Sequence, residues 1–200
     1  MKKAWQMRWM GTVLIVLTAA GCRMAPPGGS LSLAVYRAAE EATAQAAREA
    51  PAPDSPAERA ALDRFNAFYA EYSTAAIAAG LDAVYAPDAF FADPFAQVQG
   101  REAIRAYFLA MAEPVESCTF EIEPPTRANG EYFIPWIMRL RVRSAPKKEI
   151  VAPGVSHVRF NADGLVIFQQ DYWDGGILYD HLPVVNRLTR HVRWRLGRAH

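Results

Sequence analysis

The stretch AFFADPF, residues 89–95, sets one carboxylate, Asp93, behind two phenylalanines and an alanine, with a proline directly after it. An ionised carboxylate in apolar surroundings is costly unless it is paired, neutralised or used. Asp93 shares strand parity with Phe91 and Ala89, so its side chain is expected to point where theirs do. Desolvation there raises a carboxyl pKa, which is the tuning a general base requires. The competing reading is a strand-ending Asp-Pro turn. A second carboxylate, Asp171, sits in QQDYWD. Both faces of that stretch are mixed, so alternation alone does not aim it, and pairing with Arg139 or Arg141 is its alternative. Two carboxylates in one apolar site can hold different pKa values and so divide acid from base roles.

Other residues join these two by position. Tyr69 lies on a helix-patterned stretch, where it is either a core aromatic or a hydroxyl donor. In EIVAPGVSHVRF, Ser156 alternates with Val158 and Phe160 and falls on the inner face; His157 alternates with Val155 and Arg159 and falls on the wetter one. His157 is therefore expected at the surface. Trp136, Met138 and Trp173 read as pocket lining or plain core. Cys118 alternates with Phe120 and Ile122, as a small buried residue does.

The elements that must position these groups follow from pattern. Ser55-Pro56 with Glu58 is a capping box with proline in the first turn. It opens a helix carrying Leu62, Phe65, Phe68, Tyr69 and Tyr72, expected to run to about Ala79 and to end at Gly80. LDAVYAPD reads as a short second helix closed by Pro87, and AFFAD as a short strand. GREAIRAYFLAMA reads as a helix with Ile104, Tyr107, Phe108 and Met111 on one side. Beyond Pro114 the period changes to two, in SCTFEIE, IPWIMRLRVR, EIVAPGVSHVRF and LVIFQQDYWD. The last pair is joined by the hairpin signal NADG. One face is apolar and one is wet, as in antiparallel sheets. Helices on one face of a curved antiparallel sheet make an α+β domain, and the mouth of such a cone is a natural small-molecule pocket.

The ends of the chain differ from this body. Lys2, Lys3 and Arg8 precede the apolar run MGTVLIVLTAAG and Cys22. That order reads as a secretory signal, and the run is too short to span a bilayer. Residues 22–56 read as a tether holding two proline-rich breaks and an alanine-rich segment, LAVYRAAEEATAQAAREA, either a spacer helix or a loosely docked one. The body of the domain is assigned to 57–178. Residues 179–200 form a basic C-terminal helix, starting after Pro183, with Val184, Val185, Leu188, Val192 and Leu196 on its apolar side. It is expected to pack on the domain, with contact to anionic headgroups as the alternative.

The chain holds 22 Lys and Arg against 21 Asp and Glu. Past the signal-like segment its positive excess is confined to the tail, which does not suit nucleic-acid binding. The four histidines are scattered, with no metal-ligand spacing. No phosphate loop or nucleophile elbow is present, and no cofactor is called for.

LTAAGC resembles the lipobox of bacterial lipoproteins. This implies cleavage before Cys22, lipid attachment to Cys22 and anchoring in the bacterial envelope; plain secretion to the periplasm or beyond is the alternative. FYAEY, VYAPDAFFADPF, GREAIRAYF, VRFNADGLV and DYWD, in this order, resemble the nuclear transport factor 2-like superfamily, in its ketosteroid isomerase and SnoaL-like branches. The resemblance covers about residues 57–178 and implies a cone-shaped sheet packed on N-terminal helices.

From the isomerases it implies Asp93 as base, Tyr69 as enolate donor, Tyr85 as a supporting tyrosine and Trp173 as lining. The third tyrosine of that network falls on Phe108, with Tyr107 beside it. The second oxyanion donor falls on Ser156 in place of an aspartic acid, a departure from the steroid isomerase set. From the SnoaL-like cyclases it implies Asp171 as acid/base, with His157 as the nearest match to a site histidine.

The expectation is therefore an apolar pocket for a small hydrophobic molecule, lined by Tyr85, Phe91, Phe108, Trp136, Met138 and Trp173. Asp93, Asp171, Tyr69 and Ser156 would carry cofactor-independent acid/base chemistry of the isomerase, cyclase or dehydratase type. The alternative is a non-catalytic ligand-binding or association module. A homodimer through the sheet is open, although its exposed face carries Arg139, Arg141 and Arg143.

Overall fold

The computed structural model describes residues 31–181 and 185–197. The signal-like segment and Cys22 lie outside the described residues. Three helices come first: α1 (Leu33–Ala47), α2 (Pro56–Ala70) and α3 (Thr74–Val84). Strands β1 (Tyr85–Ala92) and β2 (Gln97–Gln99) lead to α4 (Arg101–Ala112). Then come β3 (Val115–Ile122), β4 (Thr126–Ala128), β5 (Glu131–Val142), β6 (Ile150–Phe160) and β7 (Val166–Trp173). A short α5 (Gly176–Tyr179) and α6 (Val185–Gly197) close the order. This is an α+β architecture.

The sheet runs β2-β1-β7-β6-β5-β3, with β4 paired to β5 outside that path. Its pairs are antiparallel except β1 with β7, which are parallel. The concave face packs on α2, α3 and α4. Phe65, Phe68, Ile77, Leu81, Ile104 and Phe108 from those helices meet Phe91, Ile134, Val158 and Phe160 from the strands in one core.

The helical start differs from the expected single run to Ala79. α2 stops at Ala70, and Ser73 caps α3 by accepting from the Ala76 N–H at 3.1 Å. An N-cap serine satisfies an otherwise orphaned donor and so favours a new helix over a continued one. Gly80 lies inside α3, not at a helix end. A Cβ there would come within 3.2 Å of the Phe68 ring, so the missing side chain lets α3 lie close against α2.

The capping box at α2 forms in a modified way. Ser55 Oγ accepts from the Glu58 N–H at 3.1 Å, whereas Glu58 reaches back to the Asp54 N–H at 2.6 Å. The buried Glu58 carboxylate also takes Tyr132 Oη–H at 2.7 Å and the Arg127 guanidinium, which ties α2 to β4 and β5.

The alanine-rich helix α1 is docked on the back of the sheet. Arg159 donates to the Glu40 carbonyl and to Thr43 Oγ1 at 2.9 Å, and it pairs with Glu131. Tyr36 meets Phe168 edge-on at 5.7 Å, and Ala39 is buried. This cover corrects the expectation for His157. Strand parity does place it on the back face, but α1 shields that face, so His157 is buried, bonded to Glu131 and stacked on Phe133.

The tail corrects another expectation. α6 is held to the domain by Arg193, paired with Asp174 at 2.7 Å and Asp180 at 3.4 Å, and by Thr189 Oγ1, which donates to Asp180 at 2.5 Å. Its apolar residues Leu188, Val192 and Leu196 face outward and do not pack on the body.

Candidate functional site

A cavity of about 90 Å³ opens between the concave sheet face, α2, α4 and α5. That is ample for several waters or one small organic molecule. Phe91, Phe108, Trp136, Met138 and Trp173 line it together with Tyr69, Asp93 and Asp171. Tyr72, Met111, Cys118 and Phe120 add to the wall, and Leu178 from α5 sits among them. Among the described residues, no lysine, arginine or histidine lines it. The Cys118 thiol is pushed up to about 12 by burial, so it stays a neutral wall group.

Asp93 combines the two readings open for it. Its Oδ1 accepts from the Phe95 N–H at 2.8 Å and the Ala96 N–H at 2.9 Å. That closes an Asx-type turn, in which a side-chain oxygen stands in for a backbone acceptor. Its Oδ2 accepts from Tyr107 Oη–H at 2.7 Å. Burial raises its pKa, opposed by these three hydrogen bonds. The carboxylate does face the cavity, but both oxygens are engaged by the protein. The family-like position is Phe108, but it is Tyr107 beside it that the helix turns onto Asp93.

Asp171 is built differently. It lies opposite Ser156 across the β6–β7 ladder. Its Oδ1 accepts from Ser156 Oγ–H at 2.6 Å and Gln169 Nε2–H at 2.9 Å. Trp136 Nε1–H donates to the same Ser156 oxygen at 2.9 Å. Oδ2 has no hydrogen-bond partner among the described residues. Burial pushes the Asp171 pKa up to about 7, the bonds from Ser156 and Gln169 pull it down, and the Asp93 charge adds to the rise. The suggested pairing with Arg139 or Arg141 does not occur: those guanidinium groups bond Glu121 and Glu149 on the outer face.

A third group of residues locks the tyrosines. Tyr85 Oη–H donates to Gln169 Oε1 at 2.6 Å, so the hydrogen bond between Tyr69 and Tyr85 has Tyr69 as donor. Gln169 Nε2–H reaches Tyr69 Oη at 3.1 Å. Burial holds both phenols well above their ordinary pKa. Gln169 is fully buried and was not singled out in the sequence. Its signal was a glutamine on the inner parity of the last strand, where an amide can serve only if every group on it is paired.

These bonds revise the expected roles. Ser156 does not line the cavity; it positions Asp171 and is itself fixed by Trp136. Tyr85 is fully buried behind Tyr69 and Gln169 and is not ligand lining. The Tyr69 proton points to Tyr85, not to a ligand. Tyr72 donates to the Phe108 carbonyl at 3.3 Å, and Tyr107 donates to Asp93. Asp171 Oδ2 and the Trp173 indole N–H are therefore the lining side-chain N and O groups without a protein partner among the described residues. His157 lies on the far face of the sheet and takes no part. Among the described residues, no cluster of three or more His, Cys, Asp or Glu is placed to hold a metal ion.

A family model described as a SnoaL-like domain matches residues 63–168. No curated protein matches. Among solved structures, a protein of ketosteroid isomerase-like fold from Catenulispora acidiphila, determined in complex with trimethylamine, superposes with TM-score 0.53 at 19% identity, covering 66% of this chain and 96% of its own. A protein from Jannaschia sp., provisionally assigned as a SnoaL-like polyketide cyclase, gives TM-score 0.55 at 14% identity, covering 67% and 99%. A provisionally assigned isomerase from Bacillus subtilis gives 0.53 at 16%, covering 60% and 90%. At these identities the likeness is one of fold.

Proposed function

The chain belongs to the SnoaL-like domain family, and we propose that it is a cofactor-independent acid/base enzyme acting on a small hydrophobic molecule. The observation that carries this reading is Asp171: one oxygen clamped by Ser156 and Gln169, the other open, and a pKa near neutrality. A group titrating near the working pH both gives and takes a proton readily. Asp171 is thus the proton carrier, through Oδ2. Asp93, held by Tyr107 and two backbone amides, is the neighbour whose charge helps keep Asp171 protonated. The Trp173 N–H is the remaining donor for a ligand oxygen. Proton relocation of the isomerase, cyclase or dehydratase kind fits this set, since it needs no group beyond these.

The walls restrict what enters. Two carboxylates with no cationic side chain beside them disfavour anions and accept neutral or positively charged apolar molecules, the latter helped by aromatic faces. The trimethylamine in the Catenulispora protein is a molecule of that small, apolar, basic kind. The test is deuterium exchange at carbons next to the carbonyl of small cyclic ketones and enones, followed by NMR in D2O. Asp171→Asn is expected to slow exchange by about 10²-fold or more. Saturable binding with no exchange by the unmodified chain would leave a ligand-binding module instead.

The basic and apolar residues ahead of Cys22 support placing this domain at the bacterial envelope by a lipid on Cys22. Mass spectrometry of the N-terminal peptide tests this, with diacylglycerol attachment expected. An unmodified Cys22, or cleavage near Ala20, would point to secretion.

A further inference from the structure

We propose that α6 is an interfacial helix that lies on an anionic lipid surface beside the mouth of the cavity. Val185, Leu188, Val192 and Leu196 recur at three- and four-residue spacing and form one stripe of the helix. Leu188 is 64% exposed and Leu196 is 70% exposed, so the stripe is not spent on the domain. The rest of the helix carries Arg187, Arg190, Arg193 and Arg195, with no acidic residue between 185 and 197. Only Arg193 has ion-pair partners among the described residues. An apolar stripe with arginine over much of the remaining surface, which also holds His191 against Trp194, is the pattern of helices that lie in the plane of a bilayer. Each basic residue close to an anionic surface adds to such binding.

Charge decides between a bilayer and a second copy of the chain. Two copies of α6 laid stripe to stripe would bring arginines together with no carboxylate on either helix. Phosphate headgroups supply the missing anions. Position gives the contact a consequence. Asp174 and Asp180, which hold α6, flank α5, and Leu178 of α5 lines the cavity. A bilayer under α6 would therefore lie next to the opening, and apolar ligands could pass between the two without crossing water. This inference does not rest on the catalytic reading or on a lipid at Cys22.

The experiment compares the full chain with a Leu188→Glu/Val192→Glu/Leu196→Glu variant. Both are sedimented with vesicles of phosphatidylcholine alone and with vesicles containing phosphatidylglycerol. These side chains are exposed, so the variant keeps the fold, and circular dichroism checks it. The unmodified chain is expected to partition at least about tenfold better onto anionic vesicles than the variant, with the difference shrinking at high salt. Any contribution from the N-terminal apolar run is common to both. A nitroxide at Leu196→Cys, in a Cys22→Ser chain bound to vesicles, gives a local readout. Oxygen accessibility above that of a nitroxide at Glu116→Cys is expected. Equal partitioning of the two chains, a water-exposed nitroxide at 196, or a dimer in light scattering that the variant abolishes would overturn the proposal.

Discussion

Ser156 Oγ donates to Asp171 Oδ1 at 2.6 Å while accepting from Trp136 Nε1–H at 2.9 Å. The relationship joins three strands, because Ser156 lies on β6, Asp171 on β7 and Trp136 on β5. A hydroxyl that takes one hydrogen bond and gives another has a fixed proton direction. Ser156→Ala leaves the Trp136 N–H unpaired and removes a donor that lowers the Asp171 pKa. The Asp171 titration is expected to move upward, and stability to fall by about 1–3 kcal/mol. Side-chain carboxyl NMR and urea unfolding measure the two effects.

Stability should depend on pH through Asp171. Its folded pKa is raised to about 7 from the ordinary aspartate value of 3.8, so the folded state holds the proton more tightly than the unfolded one. This contribution is fully present below the unfolded value and is lost as pH rises through about 7. The loss is at most about 4 kcal/mol, reduced by the partial exposure of the side chain. Asp171→Asn is expected to flatten the stability profile between pH 4 and 8, roughly the span of the shift. Denaturant midpoints across that range would check it, and an unchanged slope in the variant would assign the dependence elsewhere.

Tyr107→Phe separates the two carboxylates. Asp93 loses a hydrogen bond that stabilises its charge, so its pKa is expected to rise further. A more protonated Asp93 repels the Asp171 charge less, and the Asp171 pKa is expected to fall. Opposite movements in one NMR titration are the signature of a coupled pair. Movement of Asp93 alone would show that the two sites act independently.

Gly154→Ala tests the wall by shape alone. A Cβ on Gly154 would overlap the six-membered ring of Trp136, so the indole must shift and its bond to Ser156 must weaken. Overpacking of this kind costs about 1–3 kcal/mol. The expected readout is lower thermal stability, together with an Asp171 pKa moved in the same direction as in Ser156→Ala.

The chemistry-bearing positions were legible where a single parity or spacing decides. Asp93 after Phe91, and Trp136 with Met138 on one face of β5, both reached the cavity because strand alternation aims them there. The site was less legible where the partner is far away in sequence. Tyr107 finds Asp93 only when α4 crosses β1, and Gln169 finds Tyr85 only through an 84-residue closure. Ser156 was placed on the correct face, but its role depends on which hydroxyl direction Trp136 permits, and no local pattern encodes that. His157 shows the limit of alternation. Parity fixed its face, and a distant helix, α1, fixed its burial. The break between α2 and α3 was written locally in Ser73, but Gly80 is the more familiar stop signal; it serves instead as a seat for the Phe68 ring.

The central claim is that Asp171 exchanges a proton near neutral pH from an oxygen open to the cavity. Side-chain 13C NMR of the Asp171 carboxyl in the free protein tests this most directly. A midpoint near 7, lowered on adding a small quaternary ammonium and lost in Asp171→Asn, is the predicted result. A midpoint in the ordinary aspartate range, close to 4, would contradict it and leave the cavity without its proton carrier.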